Sequence, residues 1–262
     1  MNKTLSILNL ISVVVAVGIN YVSQALRFND TTISEMSNHY DNLFTPAPYA
    51  FSIWGLIYLG LFAYAVFQIR CAFKSSKSSE FITQTGYWFI IANTLNSFWV
   101  LAFVYDYIGL SVLLMFGILF SLIQIILKTN MERWDAPLPV IAFLWWPICL
   151  YTGWISVATI ANISTYLTKL GWQGGFLSAE NWTIIMIIVA ALLNIIVVFT
   201  RNMREFAMVG VWALVAIFIR HHESNNIIAY TALIASIAVF AVISWHGYIN
   251  RHKNPIFKKI LN

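Results

Sequence analysis

The sequence predicts an all-α integral membrane protein of eight transmembrane helices with both termini on the cytoplasmic side. Three observations carry that expectation. Of 262 residues, 60% are hydrophobic and only 10% are charged, and the mean hydropathy is +0.76; a soluble domain carries roughly 25% charged residues. The apolar residues fall into eight separate runs, too long for barrel strands and without strict alternation, so helices are the spanning option that satisfies the backbone in lipid. Finally, the basic residues are distributed unevenly between the intervening segments. The net charge of +5 forms no basic stripe, which excludes a nucleic-acid binder. Two cysteines, Cys71 and Cys149, make no disulfide framework.

The first run, 5–26, follows Lys3 and ends at Ser23-Gln24-Ala25, which has the small-x-small form of a signal-peptidase site. Its apolar stretch of about 20 residues exceeds the usual 7–15 of a signal peptide, so it is read as a retained span. Run 49–70 is entered through Thr45-Pro46-Ala47-Pro48, where proline near a first turn sacrifices no hydrogen bond. Runs 87–105 and 108–127 are joined by the tight turn Asp106-Tyr107. Runs 137–161, 183–200, 206–219 and 227–249 complete the set. The seventh reaches only about 21 Å, and Arg220, His221 and His222 could snorkel to complete it. With the N-terminus inside, Lys3, Arg70, Lys74, Lys77, Lys128, Arg133, Arg201, Arg204, Arg251, Lys253, Lys258 and Lys259 are cytoplasmic. Only Arg27, Lys169 and Arg220 lie opposite, as the positive-inside rule requires.

No Asp, Glu, Lys or Arg falls in the middle of a run, which argues against an ion-driven transporter. His246 alone among the histidines lies well inside a span, and His221 and His222 are adjacent and so diverge on a helix. There is no CxxC, HExxH, Walker or GxGxxG context, so no catalytic residue and no metal-ligand set is expected.

The distinctive content is tryptophan, 11 in all. Trp88, Trp134, Trp172 and Trp182 suit the bilayer interfaces, whereas Trp54, Trp99, Trp145, Trp146, Trp154 and Trp212 sit deeper. At 1.5 Å per residue, Trp54, Trp99 and Trp154 all lie about 8–10 Å from the outer ends of their helices. Each belongs to a one-faced row: Trp54 with Tyr58; Asn96, Trp99 and Phe103; Tyr151, Trp154 and Ala158. Two readings stand side by side. The rows pack against lipid or one another, with Asn96 as interhelical glue, or they wall a cavity with an amide at its floor, suited to a flat apolar ligand. The 18-residue connection 27–44 would lie above that cavity, as a lid or as a loose connector.

These rows resemble the TspO/MBR family, the tryptophan-rich sensory or translocator proteins. In that family the second helix opens with a proline-rich stretch leading into Trp-x-x-x-Tyr, matched here by Phe44-Thr45-Pro46-Ala47-Pro48-Tyr49-Ala50-Phe51 and then Trp54 and Tyr58. The third-helix pattern is matched by Leu95, Asn96, Trp99 and Phe103, and the fifth by Tyr151, Trp154, Ala158 and Asn162. Ala47 stands where the family has a second proline, Tyr49 where it has tryptophan, and the proline normally beside the fifth-helix tyrosine is displaced to Pro147.

The resemblance implies a five-helix membrane domain at 1–167 and an additional three-helix extension at 168–262. It implies a pocket for porphyrins, sterol-like molecules or other flat hydrophobes, built from Trp54, Tyr58, Asn96, Trp99, Phe103, Tyr151, Trp154 and Ala158, with Phe44, Pro46, Pro48 and Tyr49 at the lid. No cofactor is required; a haem-like tetrapyrrole is among the ligands the resemblance allows, the homodimer common in the family is left open because the extra helices could cover its interface, and a bacterial inner membrane is the expected location. Light-dependent porphyrin degradation is an optional extra that spacing does not distinguish. A facilitator for a neutral metabolite and a membrane scaffold are the alternatives.

Overall fold

The computed structural model describes residues 2–74, 79–172 and 174–253, and among them every regular element is helical. Eight helices of 17 residues or more follow one another: α1 (Asn2–Ala25), α2 (Ile53–Phe73), α3 (Trp88–Val104), α4 (Ile108–Lys128), α5 (Trp146–Lys169), α6 (Ala179–Arg201), α7 (Arg204–His221) and α8 (Asn226–Ile249). Six segments are long and apolar enough to cross a membrane: Asn2–Ala25, Pro48–Phe73, Ile108–Lys128, Leu138–Lys169, Ala179–Arg201 and Asn226–Ile249. Helix α3 is shorter at 17 residues. Helix α7 has 18, with Arg204 and Glu205 in its first turn and Arg220 in its last. The protein is therefore a multi-pass, all-α membrane protein. Lys77, Lys258 and Lys259, counted above as cytoplasmic, lie outside the described residues.

Helix packing follows a closed ring with an appended layer. α1 packs on α2 and α3, α3 on α4, α4 on α5, and α5 back on α2. α7 packs against the outside of α5, and α6 and α8 pack on α7 and on each other. Leu59, Leu113 and Ile234 point outward and are exposed, as lipid-facing side chains must be. Without a hydrophobic force between helices in lipid, small residues and buried polar pairs hold such a bundle together. Here the Asn9 amide donates to Gln68 across α1 and α2 at 2.5 Å, and Asn93 donates to Ser12 across α3 and α1 at 3.0 Å. Gly60 lets α2 approach Pro147 of α5. A Cβ on Gly153 would stand 2.8 Å from the Phe206 carbonyl oxygen, so this glycine sets how closely α5 and α7 meet.

The differences from the sequence expectation that bear on the site lie in α5 and α2. α5 runs on to Lys169, eight residues beyond 161, because its polar last turns are partly buried: Asn162 and Thr165 face inward. Its entry is irregular. Residues Leu138–Val140 are helical, Ile141–Trp145 form a π-helical turn, and Pro147, which has no N–H to donate, follows. At α2 the regular helix begins at Ile53, after a 3-10 turn over Pro48–Ser52.

Candidate functional site

One end of the ring is capped by the α1–α2 connection, which is ordered. It contains a short helix, Ile33–His39, started by a capping box in which the Thr32 hydroxyl accepts from the Glu35 N–H and the Glu35 carboxylate accepts from the Thr32 N–H. The Arg27 guanidinium donates to both Glu35 oxygens at 2.9 Å. Tethers reach the surrounding helices as well. Asn29 donates to the Val104 carbonyl at 3.0 Å, the Tyr40 hydroxyl to Asp106 at 2.9 Å, and Asp106 pairs with Lys169 at 2.7 Å.

The cap is also held by α7. Arg220 donates to Asn38 and Asp41, each at 2.8 Å, and His221 Nε2 lies 3.0 Å from the Leu43 carbonyl. The Ala47 N–H donates to the Ala216 carbonyl at 3.0 Å, and the Trp212 indole N–H to the Ala50 carbonyl at 3.1 Å. Arg220, His221 and Trp212 were read from sequence only as a short span's contents; their grip on residues 38–50 is invisible to spacing.

The hydrogen bond from Arg27 is the largest influence holding the Glu35 carboxyl below its ordinary value. A lowered carboxylate pKa contributes its stabilisation above the ordinary range and loses it as pH falls through the lowered value. Amide-exchange protection of residues 32–36 is therefore expected to fall on acidification below about pH 4. Glu35→Gln should show the weakened protection at neutral pH and little further change with acid.

Beneath the cap, three indoles converge. Trp54 from α2, Trp99 from α3 and Trp154 from α5 line one hollow together with Phe103, Ala158 and Pro46. The cap adds Ile33 and Ser37. Its volume is about 30 Å³, little more than room for a water, whereas drug-sized ligand pockets span roughly 300–1,000 Å³.

The other expected site residues form the layer behind these rings. Tyr58 stacks on Trp54 with centroids 5.1 Å apart, and Tyr151 meets Trp54 edge-on at 5.9 Å. Asn96 lies beside the Tyr151 hydroxyl, 1% exposed. Neither amide atom of Asn96 has a hydrogen bond of good geometry, and neither do Trp54 Nε1 or the Tyr58 hydroxyl. Asn93, not Asn96, ties α3 to α1. Of the expected lid residues, Phe44 is buried and Pro46 lines the hollow; Pro48 opens the 3-10 turn, and Tyr49 packs away from it, edge-on to Trp212 at 5.2 Å.

Asn162 is the lining residue the sequence reading undervalued. Its carbonyl oxygen accepts the Trp99 indole N–H at 2.9 Å, and its amide donates to Ser111 at 2.8 Å. That knot of α3, α4 and α5 fixes the plane of the Trp99 ring. The remaining deep tryptophans lie elsewhere: Trp145 and Trp146 line a second cavity at the opposite end, and Trp212 sits on α7.

A multi-pass membrane protein with an aromatic hollow under an ordered cap is the class that fold and site define. Residues 6–245 match the family described as TSPO-like protein, and the chain belongs to that family. The match continues through α6 and α7 and most of α8, beyond Asn162 where the quoted motifs end. Membership points to ligand binding or sensing in a membrane. Neither a curated protein nor a solved structure matches the chain.

Proposed function

We propose that the protein binds a flat hydrophobic ligand of the porphyrin class in the hollow between Trp54, Trp99 and Trp154, and acts as a sensor or carrier through movement of its cap. The observation that carries this reading is that three indoles from three helices line one hollow. Trp54 and Trp154 would supply stacking area. Trp54 Nε1, buried without a good partner, would meet a polar group at the ligand's edge, while Asn96 stays in the layer behind the rings. Burying such groups unpaired is costly, so a ligand or water that satisfies them is favoured.

The hollow must widen about tenfold or more to accept a ligand of that size. The element that yields is the cap, which is held by discrete polar tethers, while the indoles sit on long helices. Arg220→Ala removes the bonds to Asn38 and Asp41 and should speed protoporphyrin association several-fold in stopped-flow tryptophan quenching. An unchanged rate would place the gate elsewhere.

In this reading all eight long helices cross a bacterial inner membrane, the termini are cytoplasmic, and the capped end faces outward. Titration of the purified chain with protoporphyrin, followed by quenching of tryptophan emission, tests the ligand class directly. Saturable one-to-one quenching is expected. Solute flux in proteoliposomes without such quenching would favour the neutral-metabolite facilitator.

A further inference from the structure

At the end opposite the cap, a second cavity of about 240 Å³ opens between the α4–α5 loop, the irregular entry of α5, the start of α7 and the end of α8. Its lining includes Glu132, Trp146, Arg204, Glu205 and His246. The two carboxylates and the Cys149 sulfur, 17 residues from the first and 56 from the second in sequence, come together so that one donor atom of each lies within 4.8 Å of the others. Cys149 is fully buried, and its nearest recorded partner is the weak acceptor Met131 Sδ at 4.0 Å. Independently, His246 is 7% exposed, lines the cavity, and has its Nδ1 buried without a hydrogen bond. Its other ring nitrogen lies 3.2 Å from the Asn250 amide nitrogen, which orients the ring. One oxygen of Glu205 is likewise buried and unpartnered. Buried polar atoms left open in this way call for a partner such as a water or an ion.

We propose that Glu132, Cys149 and Glu205 form a binding site for a divalent metal ion of the zinc class, with its fourth position open to the cavity that His246 lines. The donor set is one sulfur and two carboxylates, which suits a borderline-soft, tetrahedral ion better than calcium or magnesium, whose ligands are oxygens. Zinc takes sulfur at about 2.3 Å and carboxylate oxygen at about 2.0–2.2 Å, which sets donors about 3.3–3.8 Å apart. The cluster needs to tighten by about 1 Å. An ion would displace the protons of the two carboxyls and the thiol as it bound, and the three negative charges so formed would be balanced by the divalent ion and the neighbouring Arg204 guanidinium. The ligands come from the five-helix ring and from α7, so a bound ion would staple the extension to the ring.

The test uses the full chain in detergent, stripped with chelator and titrated with Co²⁺ as a coloured stand-in for zinc. One equivalent is expected to bind, with a thiolate-to-cobalt charge-transfer band in the near ultraviolet that Zn²⁺ abolishes by displacement. Cys149→Ser should lose the band while Cys71→Ser keeps it, and Glu205→Gln should weaken binding by about tenfold or more. Helical circular dichroism identifies variants that do not fold. In addition, Zn²⁺ should raise the melting temperature of the wild type but not of Glu205→Gln. A titration without the band, or the same band in Cys149→Ser, overturns the proposal. None of these readouts depends on porphyrin binding.

Discussion

Replacing Trp54 and Trp154 together by alanine is expected to lower protoporphyrin affinity by about a hundredfold or more. Each ring is an aromatic anchor in an enclosed site, and truncating such an anchor typically costs about 2 kcal/mol or more; every 1.4 kcal/mol is tenfold in affinity. The rings occupy separate helices and both line the hollow, so neither stands in for the other. Folding must be watched, since Trp54 and Trp154 are 7% and 2% exposed. Removing a buried tryptophan from a core typically costs about 3–5 kcal/mol of stability. The single changes Trp54→Phe and Trp154→Phe keep an aromatic face and most of the packing, and should retain binding within about tenfold. Equilibrium quenching, read on the remaining tryptophans with circular dichroism alongside, makes the comparison. Unchanged affinity in a folded double variant would place the ligand outside the three indoles.

Gly153→Leu is expected to lower the melting temperature by about 5–10 °C and to loosen the cap as well. Even a Cβ at this position would meet the Phe206 carbonyl oxygen at 2.8 Å and Val209 at 3.1 Å. The first of these is backbone, so α7 as a whole must retreat from α5. Overpacking of this kind typically costs about 1–3 kcal/mol, and each kcal/mol moves the midpoint by about 2–4 °C in a chain of this size. A retreat of α7 also carries Arg220, His221 and the Ala216 carbonyl away from residues 38–47. Amide exchange should therefore rise in Ile33–His39, which is remote from the substitution. Gly55→Ala, where an added Cβ meets nothing within 4 Å, is the matched control and should change neither property.

The apolar runs and the aromatic rows could be read from sequence because both are local. Helical spacing alone aligns Trp54 with Tyr58, and Trp99 with Asn96 and Phe103. Which face of a row meets which neighbour is a tertiary matter. Spacing could not tell that Asn93 would bridge to Ser12 while Asn96 stayed without a good partner, though the two lie one turn apart. The C-terminal limit of α5 was misplaced for a related reason. Residues 162–169 lie past the end of the apolar run, yet Asn162 and Thr165 turn inward, and the Asn162 hydrogen bonds offset the cost of burying its amide. A search for motifs with metal-ligand spacing sees only local sequence. Glu132, Cys149 and Glu205 come together only when α7 docks on α5.

The role of the extension follows from the same packing. One cluster of buried apolar side chains reaches from Val13 of α1 to Ala232 of α8, and a second, formed by Ala191, Val198, Ala207, Val239 and Ile243, lies within α6, α7 and α8. Through α7, the extension grips the connection above the hollow, so the cap movement proposed here would respond to anything that shifts α7.

An experimental structure of the chain with protoporphyrin bound tests the central claim most directly. The account predicts a macrocycle lying between Trp54, Trp99 and Trp154, with the Ile33–His39 helix displaced and the Arg220–Asp41 contact broken. Ligand density on an outer, lipid-facing surface, with the cap still seated and the three rings still closed on one another, would contradict it.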